Sequence, residues 1–189
     1  MRRLGQLFCC AVLLTVSMVG CAPREADTYK VGYIVSQSGP YAPLGTASLQ
    51  GAQLKVKQLN DAGGINGKLI ELIAVDDKGT TTDSATGAQK LIDDGALTVA
   101  SAAVTALSIA LIPILNDNKT PGLIIAGTGL VNAQLGSWTF KPSSSEYDYI
   151  PLPLSYLRDD MGATTVAAMI ENSGYGEGGE YFLNQVAPT

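Results

Sequence analysis

Histidine is absent from the 189-residue sequence. That removes the commonest general base at neutral pH, every imidazole-based triad and every His-bearing metal site. Cysteine is almost as scarce, and all three, Cys9, Cys10 and Cys21, fall in the first 21 residues. A chain beginning at Cys21 holds one cysteine, so it forms neither an internal disulfide nor a zinc cluster. Positive charge is short as well, with 12 Lys and Arg against 17 Asp and Glu. Without Arg2 and Arg3 the balance is ten against seventeen, a net charge of −7. Nothing in that balance suits nucleic acid or another polyanion. The apolar run at residues 7–19 is too short to span a membrane permanently.

What is present begins with an export signal over residues 1–20: a basic start at Arg2 and Arg3, the apolar run, and small residues at Gly20 and Ala22. Met18-Val19-Gly20-Cys21 resembles a bacterial lipobox, which makes Cys21 the lipidated first residue of an envelope protein. Ordinary cleavage near Ala22 is the alternative. Residues 21–28 are polar and read as a tether.

From residue 29 the pattern alternates. Residues 29–35 form a buried strand, and a helix from Thr46 carries Leu49, Ala52, Val56 and Leu59 on one face. A strand at 69–75, a helix at 82–94, a strand at 97–100, an apolar helix broken near Pro113 and a strand at 123–126 follow. This order predicts an α/β fold with a doubly wound parallel sheet and right-handed crossovers. Ligands of such sheets sit beyond the carboxyl ends of the strands. The turns there are residues 36–41, 76–78, 100–105 and 126–129. A short strand at 138–141 leads to a crossover, and a helix at 147–161, a strand at 165–170 and a helix from Glu177 begin a second unit. One strand and two helices cannot cover both faces of a sheet, so the sequence reads as a fragment of a longer chain.

Residues 97–108 give the sharpest candidate for a site. A strand runs into small residues and then into a helix whose start presents unpaired N–H groups and the positive end of its dipole. Thr105 and Ser108 add hydroxyls there, which suits a carboxylate; the same Thr105 also fits a plain N-cap. Asp76-Asp77 reads as a solvated strand end more readily than as a metal or acid-base pair, because no third carboxylate is near in sequence. The run Gly63-Gly64-Ile65-Asn66-Gly67-Lys68 follows a helix and lacks the spacing of a phosphate loop, so it reads as a helix-to-strand turn. Gly127-Thr128-Gly129 is too short for a dinucleotide fingerprint. Neither a cofactor, a metal nor a catalytic group is called for.

These residues together resemble the substrate-binding proteins of branched-chain amino-acid-type ABC transporters, which have the type I periplasmic binding fold. The markers are Ser38-Gly39-Pro40, Gly51-Ala52, the run from Asn60-Asp61-Ala62 through Lys68, and Asp76-Asp77. The resemblance implies a first lobe over residues 29–145 and the start of a second over 146–189. It implies a small amino-acid-like or amide ligand held between them and delivered to an ABC permease. Alignment on Pro113 puts Thr105, with Val104 beside it, where the family binds a ligand carboxylate. Ala126, Gly127 and Thr128 fall on the next ligand loop, and Tyr175 on a tyrosine that closes over the ligand. Ser38 and Tyr41 lie on the first rim turn. Two departures stand out: Ser101-Ala102 replaces the usual Gly-Pro pair, and Leu44 stands where branched-chain binders carry an aromatic. Two rival readings are a sensory receptor domain of the same fold and an exported Rossmann-like enzyme.

Overall fold

The computed structural model describes residues 28–102 and 104–186. The export signal, Cys21 and nearly all of the tether lie outside them.

Five parallel strands form one sheet in the order β2-β1-β3-β4-β5. They are β1 (Tyr29–Val35), β2 (Ile70–Asp76), β3 (Thr98–Ser101), β4 (Gly122–Leu123) and β5 (Thr139–Phe140). β1 is an interior strand between β2 and β3, pairing Tyr29 to Val35 with Ile70 to Asp76 on one side and Val31 to Ile34 with Thr98 to Ser101 on the other. Its period of two splits the core between the faces. Ile34 joins Leu91, Val99, Leu111, Leu115 and Ile124 on one side. Tyr33 and Val35 meet Leu49, Ala52, Leu72 and Ala74 on the other. The sheet is doubly wound, as the alternation of strands and helices predicts.

Helix α1 (Ala42–Asp61) starts four residues before the expected Thr46, with Pro43 in its first turn, where a missing N–H costs nothing. At its far end the Asn60 amide donates to the Ile70 carbonyl and accepts from the Ile70 N–H, both at 2.8 Å. The intervening Ile65–Lys68 bridge makes the glycine-rich run the turn its position predicts. Helix α2 (Thr81–Asp93) is capped by Thr80, which accepts from the Asp83 N–H.

The third helical segment divides into α3 (Thr105–Ile109) and α4 (Leu111–Asp117). Pro113 has no N–H for the Ile109 carbonyl four residues back, and the break falls there. Leu107, Leu111, Ile112 and Leu115 are buried, in keeping with the apolar character of the segment. Val104, not Thr105, is the cap residue, so the plain N-cap reading of Thr105 does not hold.

β4 and β5 are shorter than the strands expected at 123–126 and 138–141. Beyond Phe140 come α5 (Glu146–Tyr149), α6 (Pro151–Ser155), a π-type turn Tyr156–Asp160 and α7 (Gly174–Val186). Residues 165–170, expected as a strand, are irregular, with Val166 and Met169 exposed. Their composition favours strand, but no neighbouring strand takes up their backbone groups among the described residues, and β-propensity acts only on a paired, half-buried surface. α7 begins at Gly174, three residues earlier than Glu177.

Candidate functional site

The strand order changes direction between β1 and β3, and the loops leaving those two strands diverge. In an open α/β sheet that divergence makes a crevice at the carboxyl end. Here it opens into a cleft of about 550 Å³. The segment after β1 supplies Tyr41 and Leu44, the start of α3 supplies Val104, Thr105 and Ala106, and the segment after β4 supplies Ile125, Ala126 and Gly127. Ser143 and Ser144 come from the chain after β5, and Tyr149, Glu171, Ser173, Gly174 and Tyr175 close the far side.

Six of the eight residues singled out from sequence line this cleft: Tyr41, Val104, Thr105, Ala126, Gly127 and Tyr175. The other two are engaged elsewhere. Ser38 donates from its hydroxyl to Asp76 at 2.7 Å, and its N–H meets the same carboxylate at 3.2 Å. Thr128 is 1% exposed, accepts from the Leu130 N–H and caps the 3-10 turn Gly129–Gln134. A Cβ at Gly178 would collide with its hydroxyl, so α7 can lie on Thr128 only because residue 178 is glycine.

Thr105 is 5% exposed, and no described residue hydrogen-bonds its hydroxyl. It therefore keeps a donor and an acceptor for whatever enters the cleft. Likewise no described residue accepts from the Ala126 or Gly127 N–H. The Ala126 carbonyl accepts from the Ser143 hydroxyl at 2.7 Å. This wall is thus rich in uncommitted donors, which complement a carboxylate.

Tyr175 rests on the opposite edge. A Cβ on Gly127 would lie 2.6 Å from its ring, so the ring packs directly on the glycine backbone. Ser173 places it: its hydroxyl accepts from the Tyr175 and Gly176 N–H groups at 3.2 Å, capping the first turn of α7. The hydroxyls of Tyr175 and Tyr149 are 2.9 Å apart. Burial, and then the bond to Tyr175, raise the Tyr149 phenol well above its usual value, so it stays neutral. Phe182 is 1% exposed and meets Tyr147 edge-on with ring centroids 3.6 Å apart, fixing α7 against α5.

Sequence reasoning missed Ser143, Ser144 and Tyr149 as lining residues, whereas Glu171 lies on the 171–177 loop that the resemblance places over the ligand. It also missed Glu146, buried beside the cleft wall, whose Oε2 accepts from the Gly129 N–H at 2.6 Å. Its Oε1 has no partner among the described residues. The signal for the α5 residues was Ser145 followed three positions later by Asp148, a capping box that places a helix start at Glu146.

Asp76 and Asp77 are not a solvated strand end. Asp77 is 2% exposed and accepts from Ser36 Oγ at 2.5 Å and the Gly79 N–H at 2.9 Å. Asp76 collects the N–H groups of Gln37, Ser38 and Lys78 together with the Ser38 hydroxyl. Burial works to raise the Asp76 carboxyl, but these hydrogen bonds outweigh it and hold it below the usual 3.8. The pair ties the β1 exit to the β2 exit. Among the described residues no group of three His, Cys, Asp or Glu side chains could hold a metal.

Comparison with known proteins agrees with this fold. Residues 28–188 match the family described as periplasmic binding protein. The chain is 25% identical over 167 residues to "Leu/Ile/Val-binding protein homolog 3" of Brucella melitensis, covering 85% of this chain and 44% of that protein. It is 31% identical over 94 residues to the leucine-, isoleucine-, valine-, threonine- and alanine-binding protein of Pseudomonas aeruginosa, covering 50% of this chain and 24% of the relative. The branched-chain amino acid transporter substrate binding protein LivJ of Streptococcus pneumoniae, solved with isoleucine, superposes with a TM-score of 0.74 at 27% identity. That superposition covers 84% of this chain and 46% of LivJ. The chain therefore spans less than half the length of the relatives it matches over most of its own.

Proposed function

Because the chain belongs to the periplasmic binding protein family, we propose that it forms the first ligand-binding lobe and part of the second lobe of an extracytoplasmic solute receptor. The first lobe is residues 29–145, and the second starts at 146. The receptor binds a small amino-acid-like ligand or amide in the cleft and delivers it to an ABC permease. The observation that carries this reading is the convergence of uncommitted donors on one wall of the cleft, the Thr105 hydroxyl and the Ala126 and Gly127 N–H groups, opposite Tyr175. A ligand carboxylate sits against the donors. Tyr175 covers it, and Glu171 accepts from its amine or amide. The isoleucine bound to LivJ supports that ligand class. Closure of the lobes over the ligand produces the form that the permease recognises.

Native mass spectrometry of the full-length protein tests this reading. A bound small molecule carrying both a carboxylate or amide and a hydrogen-bond donor is expected; a co-purified ligand without an acidic or amide group refutes it. The lipobox supports a receptor tethered to the cell envelope through Cys21. Full-length Cys21→Ala should leave the membrane fraction, and retention there would remove the anchor.

A further inference from the structure

β4 ends after two residues, yet the chain beyond it stays in register with β3 long enough to build the cleft wall. In a regular parallel ladder the Ile125 N–H would reach the backbone carbonyl of Ser101. Here it donates to the Ser101 side-chain hydroxyl at 2.9 Å, so the side chain continues the ladder where the backbones part. The same hydroxyl lies 3.4 Å from the Leu123 carbonyl. On the other side of Ile125, Ser108 Oγ sits 3.0 Å from both the Ile125 carbonyl and the Ala102 carbonyl, and its single proton is shared between them. Ser101 is 2% exposed and Ser108 is fully buried, so neither hydroxyl has water to fall back on. Ile125 is therefore gripped by both its backbone groups. The next two residues are Ala126 and Gly127, whose N–H groups face no described acceptor.

We infer that Ser101 and Ser108 are positioning residues of the cleft: they fix the backbone of Ile125 and, through it, the donor wall of Ala126 and Gly127. Neither touches the cleft itself. This rests on the reading of the cleft as a ligand site. It also gives a physical role to Ser101, which belongs to one of the two departures from the pattern the sequence resembles.

Amide hydrogen exchange on the full-length protein, without ligand, tests the brace. Ser101→Ala, and independently Ser108→Ala, should accelerate exchange of the Ile125 amide by about three- to tenfold, the size expected for one hydrogen bond, with β1 amides unchanged. Thr98→Val is the control, because Thr98 donates to the Pro121 carbonyl at the opposite end of the same strand pair. It should leave residues 125–127 as they are. Unchanged exchange of the Ile125 amide in both serine variants overturns the inference, as does an equal rise throughout β1 or the same local rise in Thr98→Val. Titration with L-isoleucine judges the cleft separately: a wild type that gives no heat removes that ligand class and leaves the exchange result to decide the brace.

Discussion

The two sides of the cleft are held in different ways. On the side built by β1, β3 and β4, buried side chains of Ile34, Leu91, Val99 and Leu115 fix the strands, and hydroxyls and carboxylates fix the loops that leave them. On the side built by residues 146–186, Phe182 is the one large apolar side chain that is fully buried, while Leu152 is 74% exposed and Met169 102%. Hydrophobic contact scales with the area removed from water, so the first side carries most of the stability. The second carries Tyr147 and Tyr149 on the short α5 and Tyr175 at the start of α7, placed by the Ser173 cap, the Tyr147–Phe182 ring contact and the approach of Gly127 to Tyr175 and of Gly129 to Tyr147. A rigid wall of donors faced by a lightly held wall of tyrosines suits a site in which one side moves onto the ligand.

The largest expected contrast lies in the core. Leu91→Ala should lower unfolding free energy by about 2–5 kcal/mol, as buried leucine truncations do, whereas Leu152→Ala should stay within about 0.5 kcal/mol. Urea unfolding of the full-length protein measures both, and equal losses would erase the distinction between the sides.

Gly127→Val should come next. Its branched side chain enters the space of the Tyr175 ring, and the Tyr149–Tyr175 hydrogen bond should be lost with a change in tyrosine fluorescence. An unchanged spectrum would mean that the ring does not rest on Gly127.

The smallest effect is the acid dependence of the Asp76 clamp. Its folded-state pKa lies below its unfolded value, so the clamp adds stability at pH values above the unfolded value, about 3.9. That contribution disappears as the pH falls through the lower folded value. The urea midpoints of wild type and Asp76→Asn should differ at pH 6 and converge toward pH 2. A constant offset across that range would show that Asp76 does not act through its charge.

Much of the first side was legible in the sequence because period and punctuation agree there. Strands of β-branched and apolar residues alternate with amphipathic helices, and Pro113 marks the break after Ile109. Hydroxyls were harder to place. Ser, Thr and Asp side chains bond to nearby backbone in several ways, and sequence alone does not choose among them. Thr128 took such a local partner, the Leu130 N–H, whereas Ser38 turned to the Asp76 carboxylate and Ser101 to the Ile125 N–H, partners distant in sequence that no local pattern encodes. The strand expected at 165–170 failed for a different reason. A helix makes its own hydrogen bonds, but a strand needs a neighbour, and none lies beside those residues among the described ones. Tyr149 was missed because its role depends on a partner 26 residues away, across a turn whose geometry no local pattern encodes.

The central claim is that the Thr105 hydroxyl and the neighbouring N–H groups hold the ligand's acidic or amide end. Calorimetric titration of full-length wild type and Thr105→Val tests it most directly, using the small molecule released from the native protein. Removal of one hydrogen bond to a charged group should weaken binding by about ten- to a hundredfold while the unfolding midpoint barely moves. Equal affinity in the two proteins would contradict the account and take Thr105 out of the site.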